Sequence, residues 1–122
     1  MTDMMLNGCR ILIAEDEYLL ADDLCDELAD LGADVLGPVG SIEAAAALIG
    51  AEARIDAAVL DINLRGKMIF PIADLLEERG VPFIFATGYD DVIVPDRYSD
   101  VRRIEKPLRA ARVAELVQSI LA

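Results

Sequence analysis

Short apolar runs that alternate with amphipathic stretches constrain this chain more than any other feature. Arg10–Ala14 is apolar beyond its first residue, the profile of a parallel strand buried on both faces. Residues 33–36, 55–60, 81–86 and 101–105 read as four further strands, with Gly37-Pro38 turning the chain out of the second. Between the first two, Leu20, Leu24, Leu28 and Leu31 recur at helical spacing. Asp22, Asp23, Asp26, Glu27 and Asp30 take the opposite face, and Gly32 stops that helix. Ser41 suits the cap of a second helix that Gly50 ends. Pro71 suits the first turn of a third, with Ile72, Leu75 and Leu76 inward and Gly80 at its end. Val113, Leu116, Val117 and Ile120 mark a terminal amphipathic helix. Val92-Ile93-Val94-Pro95 is poor helix material, so any helix over residues 88–100 is expected to be short or distorted.

Strands that alternate with helices predict a doubly wound α/β fold, a parallel sheet with helices on both faces. A chain of 122 residues with 55% apolar content has enough material for one core. No linker or repeat divides it, so one domain is expected over residues 1–122, with 1–8 a frayed lead-in. The ending of the chain fits a complete protein or one domain of a longer one.

Composition excludes several chemistries. Histidine is absent, which removes imidazole bases and His-ligated zinc. No apolar run reaches 18 residues, so no membrane span is expected. The net charge of −12 argues against direct nucleic-acid binding. That charge is lopsided: up to Asp61 there are 14 acidic and 2 basic residues, and 9 of each thereafter. Arg97, Arg103, Arg109 and Arg112 leave room for a local partner surface near the C-terminus, although a solvated face is the plainer reading. Cys9 and Cys25 lack metal-ligand spacing, and Leu6-Asn7-Gly8-Cys9 lacks the apolar stretch of a lipoprotein signal. The expected compartment is the cytoplasm.

In doubly wound sheets, ligands bind beyond the carboxyl ends of the strands. The strands here end in Glu15-Asp16-Glu17, Asp61, Thr87 and Lys106, while the second ends in Gly37-Pro38 and adds nothing. Each residue has a bland reading alone: helix-dipole acids, a strand terminus, a turn, a surface lysine. Together at one sheet edge they suit phosphoryl transfer. Clustered carboxylates need a cation, and three oxygen ligands with open water positions suit Mg²⁺. Asp61 is then a nucleophile candidate, with Lys106 and Thr87 to hold phosphoryl oxygens.

The order Glu15-Asp16, Asp61, Thr87, Lys106-Pro107 resembles the receiver domain of bacterial two-component response regulators over essentially the whole chain. Phe85-Ala86-Thr87-Gly88-Tyr89 and Asp61-Ile62-Asn63-Leu64-Arg65-Gly66 look like a mostly stand-alone subclass named for its Phe-Ala-Thr-Gly motif. The resemblance implies a flavodoxin-like strand order 2-1-3-4-5. It implies that Asp61 accepts a phosphoryl group from a histidine kinase or phosphotransfer protein. Glu15, Asp16, Asp61 and the Asn63 backbone carbonyl would hold Mg²⁺, Thr87 and Lys106 would bind the phosphoryl group, and the bond before Pro107 would be cis. With no second domain legible, output is expected through a downstream protein partner or by draining phosphoryl groups from a kinase.

Two positions depart from the family pattern. Arg103 stands where many receivers carry a switching aromatic, which leaves Tyr89 as the nearby aromatic able to replace it. Glu15-Asp16 stands in place of two aspartates. Two other readings stay open: a phosphorylation-independent pseudo-receiver, and a small aspartate-nucleophile phosphatase. The second usually needs an acid two residues after its nucleophile, where this chain has Asn63.

Overall fold

The computed structural model describes residues 5–88 and 94–121. The elements run β1 (Arg10–Ala14), α1 (Tyr18–Asp30), β2 (Asp34–Val39), α2 (Ile42–Ala51), β3 (Ala57–Asp61), β4 (Asn63–Leu64), β5 (Lys67–Met68), α3 (Phe70–Glu78), β6 (Phe83–Thr87), β7 (Arg103–Glu105) and α4 (Ala110–Ile120). Five strands form one parallel sheet ordered β2-β1-β3-β6-β7, the expected doubly wound topology. The order reverses between β1 and β3, which opens a crevice at their carboxyl ends.

Period-two alternation sorts each central strand onto two cores. Leu12, Ala14, Ala58, Leu60, Phe83 and Phe85 pack against α2 and α3. Ile11, Ile13, Ala57, Val59, Ile84 and Ala86 pack against α1 and α4. Both faces are covered, so these strands read as continuous apolar runs.

Several sequence expectations are corrected. Gly37-Pro38 does not end β2; the strand continues to Val39 through a cis bond and a register shift against β1. An edge strand tolerates proline because one side of its ladder is unpaired. Leu20 is 53% exposed and Leu75 is also exposed, while Ala21 and Ala73 take inward positions. Gly50 lies within α2, which runs on to Ala51. The lead-in is not frayed from residue 5 onward: Leu6 is buried, and Leu6 and Gly8 N–H groups donate to the carbonyls of Leu31 and Gly32. Met68, in β5, is exposed.

Other expectations stand. Ser41 Oγ accepts from Ala44 N–H at 3.1 Å as the α2 cap, and Pro71 occupies the first turn of α3. Between β6 and β7 the described residues hold a 3-10 turn at Asp96–Tyr98; residues 89–93, part of the expected short helix, lie outside the described residues. Among the described residues no helix is long and apolar enough to cross a membrane.

Candidate functional site

Sheet register assembles the site. Ala14 pairs with Leu60, Asp61 with Ala86 and Thr87 with Glu105, so Glu15, Asp61, Thr87 and Lys106 line up along one edge. Asp61, Thr87 and Lys106 border a cleft of about 540 Å³ that Asp16, Glu17, Leu20, Asn63, Gly88 and Pro107 also line. Glu15 and Asp61 are the buried charged residues among those described, at 3% and 6% exposure.

One ammonium spans them. Lys106 Nζ donates to Asp61 Oδ2 at 2.7 Å and lies 2.9 Å from Glu15 Oε2. Its backbone N–H donates to the Thr87 carbonyl at 2.9 Å, and the Lys106-Pro107 bond is cis. Burial pushes the Glu15 carboxyl up to about 7; the Lys106 hydrogen bond opposes that rise and the Asp61 charge adds to it. Burial alone lowers the Lys106 ammonium, but hydrogen bonds and charges from Asp61 and Glu15 outweigh it and hold its pKa above the ordinary lysine value. The lysine is therefore charged at neutral pH, and the acids around it remain under-neutralised.

Oxygens of Glu15, Asp16 and Asp61 lie within 4.8 Å of one another, close enough to share a hard divalent cation. Ile69 N–H donates to the Ile62 carbonyl at 2.8 Å, and Leu64 pairs with Lys67 across a two-residue turn. Bonded pairs alternate along an antiparallel ladder, so Asn63 turns its backbone away from β5. Its N–H donates to Asp61 Oδ1 at 3.2 Å. The donor set fits Mg²⁺.

The remaining expected residues are dispersed. Tyr89 lies outside the described residues. Arg97 belongs to the layer of α3, where it pairs with Asp74 at 3.1 Å. Arg109 and Arg112 open α4 on the other face, with Arg112 paired to Glu115 at 3.2 Å. Arg103 is exposed on β7. The four arginines therefore do not share one face.

Sequence reasoning missed two features. The first is the β4–β5 hairpin, whose Arg65-Gly66 turn is a weak signal beside the Asn-Gly such turns favour. The second is Tyr98, buried with its ring centroid 5.9 Å from Phe85, 5.6 Å from Phe83 and 6.3 Å from Phe70. Its hydroxyl donates to Asp74 on α3. Phe85, the register partner of Arg103, is an aromatic beside that position which sequence reasoning did not name.

Comparison with solved structures returns close likenesses. The solution structure of SdrG from Sphingomonas melonis Fr1 is 37% identical with a TM-score of 0.77, covering 93% of this chain and 98% of that one. The BeF3-activated conformation of SdrG from Pseudomonas melonis Fr1 is 36% identical with a TM-score of 0.74, covering 100% of both chains. A response regulator receiver protein from Sinorhizobium medicae WSM419 is 25% identical with a TM-score of 0.75, covering 93% of this chain and 94% of that one. No protein-family model and no curated protein sequence matches the chain.

Proposed function

This chain belongs to the response regulator receiver family, and on that premise we propose that it is a single-domain regulator phosphorylated on Asp61 in a Mg²⁺-dependent step. The observation that carries the reading is the Lys106 ammonium bridging Asp61 and Glu15 inside an open acidic cleft. Phosphoryl transfer depends on positioning and charge stabilisation, and these groups supply both. The donor is a histidine kinase or a phosphotransfer protein carrying phosphohistidine. An Asp61 carboxylate oxygen attacks phosphorus as the P–N bond of the donor breaks, and the donor leaves as imidazole. Glu15, Asp16, Asp61 and the Asn63 carbonyl would hold Mg²⁺, which when bound shields charge on the incoming group. Lys106 passes from Asp61 Oδ2 to a phosphoryl oxygen, and the Thr87 hydroxyl donates to another.

Phosphorylation draws Thr87 toward Asp61 and reshapes residues 88–100. The surface of β6, β7 and α4 then changes its affinity for a downstream protein, with Arg103, Arg109 and Arg112 as its charged part. Phe85-Ala86-Thr87-Gly88-Tyr89 assigns the protein to the Phe-Ala-Thr-Gly subclass, with Tyr89 in the switching role that Arg103 lacks. The protein works in the cytoplasm as a phosphoacceptor and catalyses only its own phosphotransfer and dephosphorylation. SdrG adopts a BeF3-activated conformation, and trifluoroberyllate mimics a phosphoryl group on a carboxylate, which supports the same chemistry here.

The test is intact mass after incubation with Mg²⁺ and a small acyl phosphate. One added phosphoryl group is expected, absent without Mg²⁺ and in Asp61→Asn. Should no adduct form, trifluoroberyllate binding decides: a protein that takes up neither is not a phosphoacceptor.

A further inference from the structure

Each carboxylate of the acidic cluster receives one backbone N–H. Glu15 Oε1 takes that of Glu17 at 3.1 Å, and Asp61 Oδ1 that of Asn63 at 3.2 Å. Both donors lie two residues away on the same strand exit. Asp16 differs: its Oδ2 accepts from Arg65 at 2.9 Å, across 49 residues of chain. Asp16 is also only half-buried, so packing alone fixes its side chain less than that of Glu15 or Asp61.

Arg65 has φ +51° and Gly66 φ +84°, the paired left-handed residues of a two-residue hairpin turn. A left-handed arginine is strained and persists only where its surroundings over-determine it. Here both ends of the residue are engaged. The N–H binds Asp16, and Nη2 donates to the Tyr18 hydroxyl at 2.9 Å with the guanidinium 5.8 Å from the ring centroid. Tyr18 in turn rests on Gly40, where a Cβ would come within 2.6 Å of the hydroxyl. Gly66 N–H closes the turn on Asn63 Oδ1 at 2.7 Å. The hairpin thereby grips the β1–α1 loop at Asp16 and again two residues later.

We propose that Arg65 is a positioning residue for phosphotransfer: its left-handed backbone holds Asp16 so that one carboxylate oxygen stays within 4.8 Å of those of Glu15 and Asp61. Its side chain locks that turn by grasping Tyr18. The inference rests on Asp16 being a metal ligand, as proposed above.

Calorimetric titration with Mg²⁺ alone tests it, beside the Mg²⁺ dependence of phosphorylation by acyl phosphate. Arg65→Val disfavours a positive φ and turns the N–H away, so Mg²⁺ affinity should fall about tenfold, the usual scale for groups that orient ligands. The half-saturating Mg²⁺ concentration should rise by more than the rate at saturating Mg²⁺ falls. Arg65→Gly accepts the φ and keeps the N–H, so it should retain most of the affinity. Urea midpoints check that both variants fold. Equal losses in the two variants would overturn the backbone role. Wild-type affinity in Arg65→Val, with affinity lost in Asp16→Ala, would overturn the inference alone. Wild-type affinity in Asp16→Ala would overturn it together with the ligand assignment beneath it.

Discussion

Lys106 Nζ sits 2.7 Å from Asp61 Oδ2 although 45 residues separate the two in sequence. The contact joins the loop after β7 to the end of β3, skipping the strand between them. It is therefore a product of sheet register, and it sets the electrostatics of the whole cleft.

Removing that ammonium strands two buried carboxylates. Breaking a buried pair costs about 3–5 kcal/mol where nothing relieves the remaining charge. Here Glu15 can take up a proton. Lys106→Met should therefore lower the urea-derived stability of metal-free protein more at pH 8 than at pH 6, and Mg²⁺ should recover part of the loss. A loss that is equal at both pH values would contradict the role assigned to Glu15.

Glu15 also imposes a pH dependence on the wild type. Its folded pKa of about 7 lies above its ordinary 4.5, so between those values the folded state holds a proton that the unfolded state has released. Stability from this group is present below about 4.5 and lost as pH rises through about 7. Urea unfolding in chelator should show that decline. Magnesium binding needs the deprotonated carboxylate, so Mg²⁺ affinity should rise over the same interval, with proton release near pH 7. Calorimetry in buffers of different ionisation enthalpy measures the protons released; none would count against the raised pKa.

Gly37→Ala tests the interior turn of β2. Gly37 has φ +111°, and a Cβ there would lie 2.8 Å from the Ile13 carbonyl oxygen and 2.9 Å from Val39 N. Both neighbours are backbone atoms of paired strands and cannot swing aside. A loss of about 2 kcal/mol or more is expected, on the scale of strained backbone plus overpacking, and urea midpoints would report it.

Tyr98 separates packing from hydrogen bonding. Tyr98→Phe removes the bond to Asp74, whose carboxylate remains open to water, so about 1–2 kcal/mol should be lost. Tyr98→Ala also empties the space among Phe70, Phe83 and Phe85 and should cost about 3–5 kcal/mol. Equal losses in the two variants, compared by urea unfolding, would mean that the aromatic packing contributes nothing.

Much of the site was legible in the sequence because strand ends are local features. Glu15, Asp61, Thr87 and Lys106 each follow an apolar run, and one rule about parallel sheets brings such residues together. Leu20 and Leu75 misled for the opposite reason. Helical periodicity names a stripe but not its edges, and the sheet accepted Ala21 and Ala73 in their place. Tyr98 lies in a Pro- and Asp-bordered segment without periodicity, so nothing local marked it as core.

By itself the sequence determined the class of fold, both apolar faces of the central strands and the polar groups that follow the strand ends, because these follow from short-range pattern and residue chemistry. Only the tertiary structure decided that Lys106 reaches Glu15 as well as Asp61, that Arg65 holds Asp16, and that Tyr98 ties its turn to α3. Each of these joins residues far apart in the chain, and a hydrogen bond between distant residues depends on register and backbone direction that no local pattern encodes.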